Sequence, residues 1–282
     1  MTVASLLERG RQRLRAAPGT QAAAAATLLD AEVLLAHTLE VPRAQLRSHP
    51  ETPVATAREQ RYLELIARRA AGEPLAYLTG RREFWSLDLA VTPAVLIPRP
   101  ETELLVERAL ALAAVPEARA ADLGTGSGAV ALALAHERPR WRVVATDVSA
   151  AALGVARANA TALALERVEF LEGSWFEPLT QRRFDLILSN PPYVAADDPA
   201  LADPALGYEP RLALTPGRDA LTCLATLIHG AAAHLEPGGW LLLEHGATQA
   251  EAVRGELVLA GFAHVRSHRD LAGHERMTEG QR

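Results

Sequence analysis

An α/β protein built on a mostly parallel sheet is predicted by three observations on this 282-residue chain. From residue 118 onward, short runs of branched apolar residues alternate with longer helix-forming stretches. That is the pattern of strands covered on both faces and the crossover helices between them. The first such strand runs into Asp122-Leu123-Gly124-Thr125-Gly126-Ser127-Gly128 and then an apolar helix, a loop whose glycines let the backbone turn tightly against a ligand. The fourth, Phe184–Leu188, stops at Ser189-Asn190-Pro191-Pro192-Tyr193, where two prolines end the ladder because neither ring nitrogen donates a hydrogen bond.

Residues 1–75 form a helical region. Leu28, Ala31, Leu35 and Leu39 recur at helical spacing, Tyr62, Leu65 and Ile66 share a face of another helix, and Pro18-Gly19, Pro42, Pro50 and Pro53 punctuate them. Residues 76–97 change to alternation. Glu83–Val91 is expected as a strand carrying Trp85 into the core, with Ala94–Ile97 as its partner in a connecting hairpin. The main domain occupies 98–282. Pro98-Arg99-Pro100-Glu101-Thr102-Glu103 opens a helix, since proline and acids suit a first turn; Arg99 has no part in that account. Strands follow near Arg119–Leu123, Arg142–Thr146, Arg167–Leu171, Phe184–Leu188, Trp240–Glu244 and Ala263–Ser267, with helices over Ala129–His136, Ala150–Leu163, Ala220–Leu235 and Gln249–Ala260. Arg269–Arg276 reads as a polar turn before a last short strand.

Composition narrows the function. The formal charge of −5 argues against a protein that grips duplex nucleic acid through many phosphate contacts. No eighteen-residue apolar run is present to span a membrane, and Met1–Arg15 lacks the continuous apolar core of a secretory signal. The single cysteine, Cys223, fits a reducing cytoplasm and is expected to be a buried small hydrophobe. All 29 basic residues are arginine, a compositional bias that also removes lysine chemistry. Glu244 and His245 end an apolar strand without a further ligand at metal spacing, so they are expected to support structure and no metal is expected.

The glycine loop satisfies the pattern of both nicotinamide and S-adenosylmethionine sites, and Asp147, closing the second strand, suits the ribose of either. Two features favour S-adenosylmethionine. Asp122 beside the glycines suits the cationic methionine end, and the Asn-Pro-Pro-Tyr corner suits methyl transfer to a planar nitrogen. Such a nitrogen is a poor nucleophile because its lone pair is delocalised. Two acceptors, the Asn190 side-chain oxygen and the Pro191 carbonyl, would take its N–H groups and aim the lone pair. Pro192 would stiffen the corner and Tyr193 would pack on the flat group.

With these residues in place the chain resembles the class I S-adenosylmethionine-dependent methyltransferases, and more closely the release-factor glutamine methyltransferases of the PrmC/HemK type. The resemblance runs through Gly72–Gly80, Phe84-Trp85, Ile97–Glu103, Asp122–Gly128, Trp175–Leu179, Asn190–Tyr193, Tyr208–Pro210 and Leu243–Gly246. It implies a Rossmann-like fold with a seven-stranded sheet and a small N-terminal domain that docks the substrate. It also implies methylation of the glutamine in the Gly-Gly-Gln loop of peptide chain release factors. By the same resemblance Gly124, Thr125, Gly126, Ser127 and Gly128 hold the methionine moiety, Asp147 the ribose and Trp175 the adenine side, while Asn190–Tyr193, with Arg99 nearby, receive the glutamine. Ser174 departs from the pattern where an acid is expected. Asn-Pro-Pro-Tyr is shared with adenine-N6 methyltransferases acting on DNA or RNA, which stand as an alternative, as do methylation of a ribosomal protein and a non-catalytic binding module.

Overall fold

A computed structural model describes residues 1–17, 24–113 and 115–282, so the Pro18-Gly19 break lies outside the described residues. The chain divides into two compact units, Met1–Gly80 and Arg81–Arg282.

The first unit is helical: α1 Val3–Arg15, α2 Ala24–Leu39, α3 Arg43–Ser48, α4 Thr56–Ala70 and α5 Leu75–Thr79. Thr2 caps α1 by accepting from the Ser5 amide, and Pro42 precedes α3, where a missing N–H costs nothing. Its core joins Leu6 of α1, Leu34 and Leu35 of α2, and Tyr62, Leu65 and Ile66 of α4, all without exposed surface. The helical region extends to Thr79, where Gly80 takes the left-handed conformation that ends α5.

The second unit opens with a hairpin, β1 Arg81–Phe84 and β2 Leu87–Ala90. This corrects the expected pairing of Glu83–Val91 with Ala94–Ile97. The turn falls inside the predicted strand, at Trp85 and Ser86, which both have positive φ (52° and 59°), the geometry a two-residue hairpin demands. Neither residue favours that region, so nothing local announces the turn. Side chains supply the reason: Glu103 accepts from the Trp85 amide at 2.8 Å and Glu83 from the Ser86 amide at 2.9 Å. Trp85 is therefore half-buried at a turn, packed against the edge of the core with its indole N–H on Glu137 at 2.8 Å.

The remaining strands are β3 Arg119–Leu123, β4 Arg142–Asp147, β5 Glu169–Glu172, β6 Phe184–Ser189, β7 Leu235–Glu244, β8 Ala263–Arg269 and β9 Glu275–Gln281. Among the described residues they form one seven-stranded sheet of order β5-β4-β3-β6-β7-β9-β8, parallel except for β9, which runs antiparallel to both neighbours. Its helices are α6 Glu103–Leu112, α7 Ala129–Glu137, α8 Ala150–Ala162, α9 Arg211–Leu214, α10 Thr222–His234 and α11 Ala250–Leu259. Period-two alternation sorts the strand side chains between two cores. Ala120, Leu186, Leu188 and Leu242 pack with α6 and α7, whereas Ala121, Leu123, Ile187, Leu241 and Leu243 pack with α10 and α11. Helix α7 is buried from Ala129 through Ala135, which is why its sequence is apolar all round. β7 begins earlier than expected: Leu235 pairs with Phe184, and a register shift before Trp240 absorbs the Pro237–Gly239 segment that reads as a breaker.

Candidate active site

Strand order places the site. The chain leaves β3 toward β4 on one side and reaches β6 on the other, so the carboxyl ends of β3 and β6 flank the crevice where such sheets bind ligands. Leu123 and Ser189 are in register, and the Ser189 hydroxyl donates to the Leu123 carbonyl at 2.6 Å. The glycine loop and the Asn-Pro-Pro-Tyr corner thus leave adjacent strands at the same level.

Gly124, Gly126 and Gly128 all take positive φ (75°, 56° and 85°), which explains three glycines in five residues. The amides of Gly124 and Thr125 donate to the Thr146 carbonyl at 2.8 and 2.9 Å, tying the loop to the end of β4. A Cβ on Gly124 would sit 3.1 Å from the Trp175 ring, whereas one on Gly126 would meet nothing within 4 Å. Buried Asn159 of α8 braces the loop from the other side: its Nδ2 donates to the Ser127 and Ala90 carbonyls at 2.9 and 3.0 Å, and its Oδ1 accepts from the Ala90 amide at 2.7 Å.

Asp122 is buried beneath this loop. Its Oδ2 accepts from the Thr125 hydroxyl at 2.6 Å and the Ala131 amide at 3.2 Å. Burial pushes its pKa up to about 6, against the pull of these two donors and with a smaller push from Asp147. Asp147 closes β4, with Oδ2 on the Gly126 amide at 2.8 Å and Oδ1 on the Ser149 amide at 2.9 Å. Trp175 stands opposite with φ 48°, a strained conformation for a bulky residue, held by the Thr146 hydroxyl on its carbonyl at 3.0 Å.

A pocket of about 400 Å³ runs between these groups, lined among others by Gly124, Gly126, Asp147, Trp175, Asn190 and Pro192. Of the residues read from sequence as binding, Asp122, Thr125, Ser127 and Gly128 build the loop without lining the pocket. Ser174 lines it, while its amide donates to Glu177 at 3.0 Å. Cys223 also lines it and is only half-buried, which corrects the expectation of a core cysteine; partial burial pushes its thiol pKa up.

At the corner, the Asn190 Nδ2 donates to the Thr102 hydroxyl at 3.0 Å, and Thr102 donates in turn to Glu244 Oε2 at 2.6 Å. The other carboxylate oxygen, Oε1, accepts from the Tyr193 hydroxyl at 3.1 Å, and the Tyr193 carbonyl accepts from Gln249 at 3.0 Å. Pro191 is buried and Pro192 lines the pocket. Burial pushes Glu244 up to about 7, although Thr102 and Tyr193 both favour its charged form, and burial likewise raises Tyr193. His245 is turned away, with one ring nitrogen on Thr278 and the other on the Gly246 carbonyl. Arg99 does not line the pocket. It pairs with buried Glu209, whose other oxygen accepts from the Ile97 amide at 3.0 Å, so Tyr208-Glu209-Pro210 is joined to the segment preceding α6.

Sequence reasoning missed Thr102, Asn159 and Glu209 and gave Glu244 only a supporting role. Thr102 and Glu244 lie 142 positions apart, beyond the reach of any spacing argument.

Fold and site define a methyltransferase, and residues 100–203 match the methyltransferase small domain family while residues 5–80 match the PrmC N-terminal domain family. Relatives similar over most of their length are a release factor glutamine methyltransferase of Xylella fastidiosa (strain Temecula1), 53% identical over 90% of this chain and 92% of that protein, and one of Pseudomonas aeruginosa, 50% identical over the same shares. The chain belongs to the release factor glutamine methyltransferase family. A methyltransferase from Pyrococcus furiosus shares the fold, with a TM-score of 0.52 at 20% identity over 80% of this chain and 98% of that one.

Proposed function

We propose that this chain transfers a methyl group from S-adenosylmethionine to the side-chain amide nitrogen of the glutamine in the Gly-Gly-Gln loop of peptide chain release factors, in the cytoplasm. The observation that carries the reading is the fixed Asn190 amide. Its nitrogen is committed to Thr102, its oxygen accepts no hydrogen bond from the described residues, and Asn190 lines the pocket beside Gly124 and Gly126.

The residues present fit S-adenosylmethionine. Gly126 has open space where any side chain would intrude. Asp147 uses one acceptor position of each oxygen on the backbone, so about two of a carboxylate's four remain for a ribose diol. Asp122, buried behind the glycine loop and outside the pocket lining, would favour the cationic methionine end by its charge. The Trp175 ring forms a flat wall for adenine.

When bound, S-adenosylmethionine supplies an electrophilic methyl carbon on a sulfonium whose departing sulfur keeps the bonding electrons. The protein's part is to hold the acceptor nitrogen. Asn190 Oδ1 and the Pro191 carbonyl would accept from the two N–H groups of the glutamine amide, turn its lone pair toward the methyl and stabilise positive charge on nitrogen until the surplus proton passes to solvent water. Pro192 keeps the two acceptors rigid, and Tyr193 packs beside the amide. Arg99, through Glu209, fixes the segment that borders the glutamine entry. The helical unit, residues 1–80, takes the role of docking the release factor.

The test is transfer of labelled methyl from S-adenosylmethionine to purified release factor, with the loop glutamine replaced by alanine as control. Label on the unaltered factor alone is the expected result. Transfer instead to adenine-bearing RNA or DNA would overturn the substrate while leaving the corner's chemistry in place.

A further inference from the structure

We infer that Glu244, acting through Thr102, is a positioning residue that sets which end of the Asn190 amide faces the substrate. The inference rests on the reading of Asn190 as an amide acceptor and extends it to groups that no spacing in the sequence connects.

Hydrogen-bond direction carries the argument. An amide presents an oxygen at one end and an NH₂ at the other, and only its surroundings decide which way round it sits. An ionised Glu244 can only accept. Its two oxygens take the hydroxyl protons of Thr102 (2.6 Å) and Tyr193 (3.1 Å). Thr102, with its single proton committed, offers only lone pairs to Asn190, so the NH₂ must turn toward it (3.0 Å) and the oxygen toward the pocket. The chain of dependence is one-way: acceptor, donor, acceptor, donor.

A proton on Glu244 reverses it. With the proton on Oε2, the oxygen that faces Thr102 becomes a donor, Thr102 is released to donate to Asn190, and the amide turns over. An NH₂ then faces an NH₂, and the site repels the group it should hold. Glu244 and Thr102 are 2% and 5% exposed, so water does not readily substitute for either partner. The other charged or titratable groups facing Glu244 are Tyr193, Glu101 and Arg276, with His245 next along the chain. Burial with these neighbours brings the proton equilibrium of Glu244 to about 7, within the range where the switch is exercised.

Two measurements test the relay separately from the substrate assignment. In the wild-type protein without release factor, the Asn190 side-chain NH₂ resonances, assigned by their loss in Asn190→Ala, should shift with pH around neutrality, and in Glu244→Gln they should not. In the transfer assay, Thr102→Val, which keeps shape but loses the hydroxyl, should lower kcat about ten- to a hundredfold, the scale found for groups that orient a ligand from behind. Its S-adenosylmethionine Kd should stay within about twofold, and Thr102→Ser should restore most of the turnover. An Asn190 signal indifferent to pH, or titrating equally in Glu244→Gln, would overturn the inference, as would wild-type turnover by Thr102→Val. If release factor accepts no methyl at all, the substrate reading fails while the resonance experiment still decides the relay.

Discussion

Asp147→Ala separates cofactor binding from chemistry most sharply. In the structure each carboxylate oxygen holds one backbone amide, Gly126 at 2.8 Å and Ser149 at 2.9 Å, which leaves about two acceptor positions for the proposed ribose hydroxyls. A hydrogen bond to a charged group contributes about 1.5–3 kcal/mol. Two such bonds lost, partly offset by water entering the space, amount to about 3 kcal/mol, or on the order of a hundredfold in Kd. Titration calorimetry with S-adenosylmethionine measures this directly. Asp147→Asn makes the argument stricter, because the amide must aim an NH₂ at one of two backbone N–H donors. It should therefore bind nearly as weakly as alanine, despite its similar shape. Thermal unfolding of both variants controls for the loosened loop. Affinity within about threefold of wild type in either, with the fold intact, would remove Asp147 from the ribose site and leave it as a loop brace.

Asn190→Ala should lower kcat by about 10²–10³, the loss expected for one preorganised group at a developing charge, with cofactor affinity nearly unchanged; calorimetry and single-turnover transfer distinguish the two effects. Asp122 and Glu244 are raised from 3.8 to about 6 and from 4.5 to about 7, so the folded state holds these protons more tightly than the unfolded one. Their stabilising contribution is complete below about pH 4 and is lost as pH rises to about 7, on the order of 3 kcal/mol for each. Denaturant titrations across that range should show Glu244→Gln losing less stability than wild type; parallel curves would refute the shift. In the helical unit, the buried Tyr62 hydroxyl has no hydrogen-bond partner among the described residues and lies 2.0 Å from where a Cβ on Gly10 would stand. Tyr62→Phe should be neutral or stabilising, Gly10→Ala should destabilise by about 1–3 kcal/mol, and the double variant should recover part of that loss; simple additivity in chemical denaturation would count against the clash.

The fold, the glycine loop and the corner after β6 were legible because they rest on local patterns. Gly124, Gly126 and Gly128 are glycines for a reason that operates residue by residue, the positive φ each adopts. The β6 corner was legible because proline excludes continued pairing whatever surrounds it. What could not be read depends on distant partners. The hairpin turn at Trp85-Ser86 is held by Glu103, 18 positions from Trp85, together with the nearer Glu83, overriding the local preferences of both residues. Arg99 had no part in the helix-start account because its partner, Glu209, lies 110 positions on. Cys223 and its apolar helical neighbours gave no sign that its side of α10 borders the pocket.

The same division explains how the Pro98–Glu103 segment serves two purposes. Its prolines and acids suit a helix start, and that account is sufficient locally. Yet it leaves the threonine free to vary, since serine, glutamate or alanine would fit the turn equally well. Thr102 contributes nothing as a cap: the helix start shows no side-chain capping bond. Its hydroxyl is used across the sheet, between Asn190 at the end of β6 and Glu244 at the end of β7. Because β6 and β7 are parallel neighbours with Ser189 opposite Leu243, Asn190 and Glu244 leave the sheet at one level, linked by one hydroxyl that donates to the carboxylate and accepts from the amide. The helix start supplies that donor, so the geometry of the amide acceptor depends on a residue whose local sequence context describes only a turn.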